Sequence, residues 1–155
     1  METTDRIAKT GAVEGAVQPT KKSSWTDYLV LLGRALFVTI FFMSAPLHFT
    51  SGTIAYAANQ GVPFAGILVP ISGAIALLGA LSVLLGYYAK IGAWLLILFL
   101  VPVTLTMHNF WAVSDSSMAQ IQQIMFLKNL SMLGGALLIA HFGAGPRSLD
   151  ALRKH

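Results

Sequence analysis

The sequence predicts an all-α protein, a four-helix transmembrane bundle with both termini in the cytoplasm. One observation is composition, because 55% of the residues are hydrophobic and only 10% are charged, which is too apolar for an ordinary soluble domain. The other is that apolar residues form four runs, each near the roughly 20 residues that cross the hydrocarbon core of a bilayer. The runs cover about residues 28–48, 64–86, 89–108 and 117–142.

Basic residues flank these runs unevenly, and this distribution predicts the orientation. The N-terminal region, the turn between the second and third runs and the C-terminal region hold Arg6, Lys9, Lys21, Lys22, Lys90, Arg147, Arg153 and Lys154. The other two loops, residues 49–63 and 109–116, hold no lysine or arginine. Since cytoplasmic loops carry the excess of basic residues, both termini are predicted to be cytoplasmic. The net charge of +4 then needs no nucleic-acid partner.

Three parts follow from this division of the chain. Residues 1–26 lack apolar periodicity and are predicted to be a disordered cytoplasmic tail, with no secretory signal. Residues 27–145 form the four-span membrane domain, and residues 146–155 a short cytoplasmic tail. The absence of cysteine excludes a disulfide or a thiolate-ligated cluster within the chain.

The first span carries Arg34, whose orientation the sequence leaves open. Arg34 lies roughly 10 Å above Asp27 at the helical rise per residue, so its side chain could snorkel toward the interface and meet that carboxylate. The alternative is an inward-facing cation that binds a lipid or ligand oxygen or positions another helix. Arg34 is therefore a second candidate polar site.

The second and third spans are predicted to be structural. Small residues recur at helical spacing in the second span, at Gly66, Ser72, Gly73, Ala76, Gly79 and Ala80. Such stripes let helices approach closely in lipid, so this helix is expected to be central. The third span is the most apolar, and Pro102 predicts a kink near its polar end.

The fourth span follows Ser114–Ser117, any of which can cap it, and contains a lysine. On a helical wheel Lys128 shares a face with Ser131 and Gly135, a small-xxx-small pair that is expected to pack against helices. Lys128 is therefore predicted to point inward. A charge inside a span costs a few kcal/mol, which makes it a functional-site candidate.

Polar residues near the outward ends of the spans form the main candidate site. They are His48, His108, Asn109, Gln123, Lys128 and Asn129. One interpretation is purely structural, with interfacial histidines and a lysine bonded to backbone carbonyls. The other is a pocket in which Lys128 and Asn109 donate hydrogen bonds to a quinone or another amphipathic ligand, with a histidine as proton donor. A haem has no support beyond two histidines at similar depth, and too few ligands are present for a metal site.

Five segments together resemble the DoxX family of small four-helix membrane proteins, from about Leu31 to Leu152. They are Arg34 in the first span, the Gly61–Phe64 lead into GAIALLGALSVLLG, the HNFW bend, LKNLSMLGGALLI and GPRSLDAL. The resemblance implies a multi-pass bacterial-type inner-membrane protein, in a family named for a subunit of a quinone-reducing thiosulfate oxidoreductase and linked to oxidative-stress and thiol-redox complexes.

The functional expectation combines the residues with this resemblance. It is a subunit that binds a quinone or a lipid-like ligand, or anchors a soluble or membrane oxidoreductase, with no catalytic residue and no covalent cofactor of its own. Its expected partners are the lipid bilayer, that oxidoreductase and, as a further candidate, a second copy of the chain. The alternatives are a small-solute or lipid carrier and a purely structural membrane scaffold.

Overall fold

The computed structural model describes residues 24–153, and this part of the chain is almost entirely helical. Its α-helices are α1 (Trp25–Ser44), α2 (Ser51–Asn59), α3 (Ala65–Leu85), α4 (Ala89–Met107), α5 (Ser116–Phe142) and α6 (Leu149–Leu152), with 3-10 turns at Ala45–Phe49 and Phe110–Ala112. Residues 24–153 contain no β-strand. The predicted tail at residues 1–26 lies, up to residue 23, outside the described residues.

Four of these helices are long and apolar enough to cross a membrane, which confirms the predicted all-α, four-span fold. They are α1 with the turn that follows it, α3, α4 and α5. Each begins and ends within a few residues of the run predicted for it. The side of the membrane on which the termini lie stays a prediction.

Side-chain caps explain where two of the spans begin. Ser24 and Asp27 form a capping box, in which the Ser24 hydroxyl accepts from the Thr26 amide and the Asp27 carboxylate accepts from the Ser24 amide. Asp115 caps α5 by accepting from the amide of Met118 at 2.8 Å, which confirms that the polar bend caps the fourth span. Asp27 is thus occupied at the end of its own helix.

Helix α3 is central, and its small residues permit this position. It packs against α1, α2 and α4. A Cβ atom on Gly79 would lie 2.9 Å from the carbonyl oxygen of Gly92 on α4, so only glycine allows this approach. Ala76 and Ala80 are fully buried between the helices. The small-residue stripe of the second span therefore packs helices, as predicted.

Helix α5 is the least buried of the spans. Only 11% of its most apolar window is buried inside the molecule, against 33% for α3 and for α4. It packs mainly against α4, and a long face of α5 stays exposed. The bundle is consequently an open arrangement in which α5 is attached along one side.

Two parts of the structure were not predicted. Helix α2 lies within residues 49–63, where the sequence predicted only a loop, and its Ala57 packs against Ala65 and Val69 of α3. The region after Phe142, predicted to become a tail at residue 146, folds back onto the bundle through Asp150.

Candidate functional site

An apolar cavity of about 450 Å³ lies at the end of the bundle where α1 ends and α3 begins. Helices α2, α3 and α4 and the 3-10 turn after α1 enclose it. The residues that line it are His48, Thr53, Ala57, Gly61, Val62, Pro63, Leu68, Val69, Ile71, Ser72, Ile75, Leu98, Phe99, Pro102, Val103, Thr106 and Met107. Ile71 and Leu98 are 49% and 59% exposed, so the cavity borders the apolar outer surface of the bundle.

His48 is the one titratable side chain among these lining residues. Its Nδ1 lies 3.0 Å from the carbonyl oxygen of Ser44. Because a carbonyl only accepts, Nδ1 donates in this contact, and Nε2 is the ring nitrogen that remains for a ligand. The ring stands edge-on to Phe99, with 5.4 Å between centroids. A Cβ on Gly73 would lie 2.6 Å from Cβ of His48, so this glycine makes room for the histidine.

Three hydroxyl groups add to the polar part of the cavity. Ser72 donates to the carbonyl oxygen of Val69 at 2.7 Å, and Thr106 to that of Pro102 at 2.8 Å. Thr53 contributes the third hydroxyl. Both donated bonds stay within a helix, so these oxygens keep acceptor capacity. The cavity therefore combines apolar walls with a few acceptors, which suits a ligand that is mostly hydrocarbon.

The other predicted site residues do not line this cavity. His108 is half-buried, and its Nδ1 lies 2.7 Å from Oε1 of Gln122, whose amide nitrogen is 3.5 Å from the hydroxyl of Tyr56. This chain of polar groups connects α2, the end of α4 and α5. Asn109 begins the 3-10 turn beside it. The predicted site contained Gln123, which is exposed, and did not contain its neighbour Gln122.

The predicted inward orientation of Lys128 is wrong. Its side chain is exposed, and its Nζ contacts the sulfur of Met125 at 3.3 Å. The face of α5 that packs on the bundle contains Asn129, which is 4% exposed, and Ala136. The helical wheel grouped Lys128 with Gly135 correctly, and Gly135 does lie against Phe37 of α1.

Arg34 points inward, and the alternative of a snorkelling contact with Asp27 is wrong. The side chain is 3% exposed, and its Nη2 donates to the carbonyl oxygen of Arg147 at 2.6 Å. Its Nε and Nη1 find no hydrogen-bond partner within residues 24–153. Asp27 is engaged in the cap of α1. Arg34 therefore positions the C-terminal segment, whereas the sequence analysis had offered another helix as the element that it could position.

Asp150 is a structural residue that the sequence analysis missed. Its two carboxylate oxygens accept from the amides of Tyr88 and Ala89 at 2.8 and 2.9 Å, and its own amide donates to Gly86. The residues just before α4 include no Ser, Thr, Asp or Asn. The sequence therefore indicated only that a side-chain cap for this helix has to come from another part of the chain. Arg153 donates to the Tyr88 hydroxyl at 3.0 Å, which raises the pKa of the Arg153 guanidinium.

The described part of the chain holds no group of three His, Cys, Asp or Glu side chains that could bind a metal ion. The geometry thus defines a class: a multi-pass helical membrane protein with an apolar cavity at one end of the bundle. Comparison with known proteins gives the family. The chain belongs to the SURF4 family, whose model matches residues 4–155.

Individual relatives include bacterial and yeast proteins. The chain is similar to the inner membrane protein YphA of Escherichia coli (strain K12), at 29% identity over 79% of this chain and 88% of the relative. It is 30% identical to the inner membrane protein YqjF of the same bacterium, over 81% and 92%. The ER-derived vesicles protein ERV29 of Saccharomyces cerevisiae is 30% identical over 52% of this chain, and the match covers 26% of its length. No solved structure matches.

The family match corrects the resemblance to DoxX, which is wrong. One of the segments that suggested it, the small-residue stripe, packs α3 against α4, and such stripes are a general way to pack helices in lipid, so this stripe does not identify a family. Without DoxX, the expectation of a redox subunit loses its basis, and neither quinone nor an oxidoreductase partner is supported.

Proposed function

We propose that this SURF4-family protein resides in a bacterial-type inner membrane, with both termini cytoplasmic, and binds a lipid-like ligand in the cavity. The observation that carries the proposal is the cavity of about 450 Å³ with apolar walls and His48 as its titratable group. Two bacterial relatives bear the name inner membrane protein, which supports the location.

The position of the cavity supports a ligand that arrives from the bilayer. Ile71 and Leu98 line the cavity and are also exposed on the outer surface of α3 and α4. In a spanning helix such residues face hydrocarbon, because lipid surrounds the apolar outer surface. A ligand with a long apolar chain can therefore enter sideways without crossing water.

The polar groups narrow the chemistry of the ligand. His48 uses its Nδ1 proton on the carbonyl oxygen of Ser44, and Ser72 and Thr106 use their hydroxyl protons within their helices, which leaves Nε2 and the two hydroxyl oxygens for a ligand. The complementary ligand carries a donor, such as the hydroxyl of a monoacylglycerol or a protonated fatty acid. Lys128 and Asn109, the expected donors to quinone carbonyls, do not line the cavity.

A substitution that fills the cavity tests the proposal. Ser72→Phe places an aromatic ring in the cavity, and Ser131→Phe is the matched control, since Ser131 is also bonded to its own helix but lies on the exposed face of α5. With a photoreactive monoacylglycerol in liposomes, we expect labelling to fall about tenfold or more in Ser72→Phe only. Labelled peptides should map to α3 and α4.

Two outcomes would contradict the proposal. Equal labelling of wild type and Ser72→Phe would place the lipid elsewhere on the protein. Absence of labelling in wild type would favour the scaffold alternative. If the ligand is bound, transfer of the same lipid between donor and acceptor vesicles separates a carrier from a protein that merely holds it.

A further inference from the structure

A second concave surface lies at the opposite end of the bundle from the cavity. This groove, with a volume of about 780 Å³, runs between the first turn of α4, the end of α5 and the C-terminal segment. The residues that line it are Tyr88, Lys90, Ile91, Phe142, Gly143, Ala144, Gly145, Pro146, Ser148, Asp150, Ala151 and Arg153. The ligand that we propose for the cavity does not contact this groove.

The groove is cationic. Lys90 is exposed and makes no hydrogen bond or ion pair with any residue in 24–153. Arg153 donates one N–H to the Tyr88 hydroxyl and keeps further guanidinium donors. Asp150 is the one carboxylate in the lining, and both of its oxygens accept from the amides of Tyr88 and Ala89. The acidic group is therefore committed to the backbone. Lys90 and the remaining N–H donors of Arg153, whose guanidinium lies 4.5 Å from the centroid of the Tyr88 ring, can bind a ligand.

The rim of the groove is apolar on the side toward the spans. Phe142 and Ile91 are 73% and 59% exposed, in the last turn of α5 and the first turn of α4. Exposed aromatic and basic side chains at the ends of spanning helices mark the depth at which hydrocarbon gives way to headgroups. A groove with cations on one side and apolar side chains on the other matches both parts of a phospholipid.

We propose that this groove binds an anionic glycerophospholipid of the phosphatidylglycerol type. Lys90 and Arg153 donate to the phosphate oxygens, and Phe142 and Ile91 contact the acyl chains. The N-terminus of α4 does not serve as the anion site, because Asp150 already occupies its first amides. Among the described lining residues, Asp150 is the one carboxylate and is bonded to backbone amides, so none of them offers a carboxylate to a choline, which favours anionic over zwitterionic lipids.

Native mass spectrometry from mixed phosphatidylglycerol and phosphatidylcholine nanodiscs tests the proposal. We expect wild type to retain phosphatidylglycerol in about tenfold preference, and Lys90→Gln/Arg153→Gln to lose most of that preference. The matched control is Lys128→Gln, which removes an exposed lysine outside the groove and should keep the preference. Lys90, Lys128 and Arg153 are all exposed, so thermal unfolding should show both variants folded.

Several outcomes would overturn the proposal. They are equal retention of the two lipids by wild type, an unchanged preference in the double variant, and an equal loss in Lys128→Gln, which would indicate a non-specific charge effect. Millimolar inorganic phosphate should not displace the lipid; displacement would assign the groove to free phosphate. Ser72→Phe should leave the preference intact, so failure here and failure of the cavity proposal are distinguishable.

Discussion

At the scale of single residues, Gly86 is the position with the least freedom. It ends α3 with a φ of 63°, in the left-handed region that favours glycine. A Cβ atom there would collide with Nη1 of Arg34 and with the side chain of Ser148. This one residue therefore adjoins both the buried guanidinium and the C-terminal segment that Arg34 holds.

We expect Gly86→Ala to lower the free energy of unfolding by about 2 kcal/mol or more, from backbone strain and collision together. Gly134→Ala is the control, since a Cβ at Gly134 meets nothing within 4 Å and its helix favours alanine. Thermal unfolding in detergent measures both. A loss in Gly134→Ala as large as in Gly86→Ala would contradict the argument.

The direction in which side chains point could be predicted from the sequence only in part. The helical wheel of α5 correctly placed Gly135 beside another helix, but it did not show that α5 also packs through a neighbouring face, where Asn129 is buried. Lys128 was therefore assigned to the wrong surface. Arg34 had two orientations of similar cost, and the contact that decides between them comes from Arg147, which is 113 positions away. Such long-range contacts leave no periodic signal.

At the scale of elements, the spans were predictable and their connections were not. Each span is long and apolar, which hydropathy detects directly. Helix α2 has only nine residues, too few to span a bilayer, so hydropathy gives no signal for it. Thr50, whose hydroxyl accepts from the amide of Thr53, is the cap that marks its start. Of the predicted site residues, only His48 lines the cavity. The cavity is formed in part by α2, which was not predicted, and by the turn after α1, which contains His48.

The C-terminal segment is the element whose release from the bundle is easiest to measure. We expect Asp150→Ala to cost about 1–2 kcal/mol, because the first amides of α4 lose their cap. Amide exchange should rise at Tyr88 and Ala89, and trypsin should cleave faster after Arg147, since Asp150 also holds this segment.

Asp115→Ala is the matched control for the loss of a cap. It removes the equivalent carboxylate from α5, which accepts from Met118. Its stability should fall by a similar amount, while exchange at Tyr88 and cleavage after Arg147 should stay unchanged. Faster cleavage in both variants would mean that general loosening, and not the loss of Asp150, releases the segment.

At the scale of the whole molecule, orientation stays a prediction that one experiment can test. All eight lysine and arginine residues outside the spans lie on one side of the predicted topology, which favours cytoplasmic termini. Reporter fusions after Asn59 and at the C-terminus should give opposite signals, one active outside and one active inside the cell. Matching signals would contradict the arrangement of four crossings with Lys90 in the cytoplasm.

Ile71 and Leu98 line the cavity and are also exposed on the outer surface, which determines how the protein would sense the proposed ligand. A binding site that exchanges with the bilayer is filled according to the mole fraction of ligand among the surrounding lipids. Dilution of the aqueous phase leaves that fraction nearly constant, whereas one enzymatic change in lipid composition shifts it at once. Such a protein would report on the makeup of its membrane rather than on the concentration of any dissolved molecule.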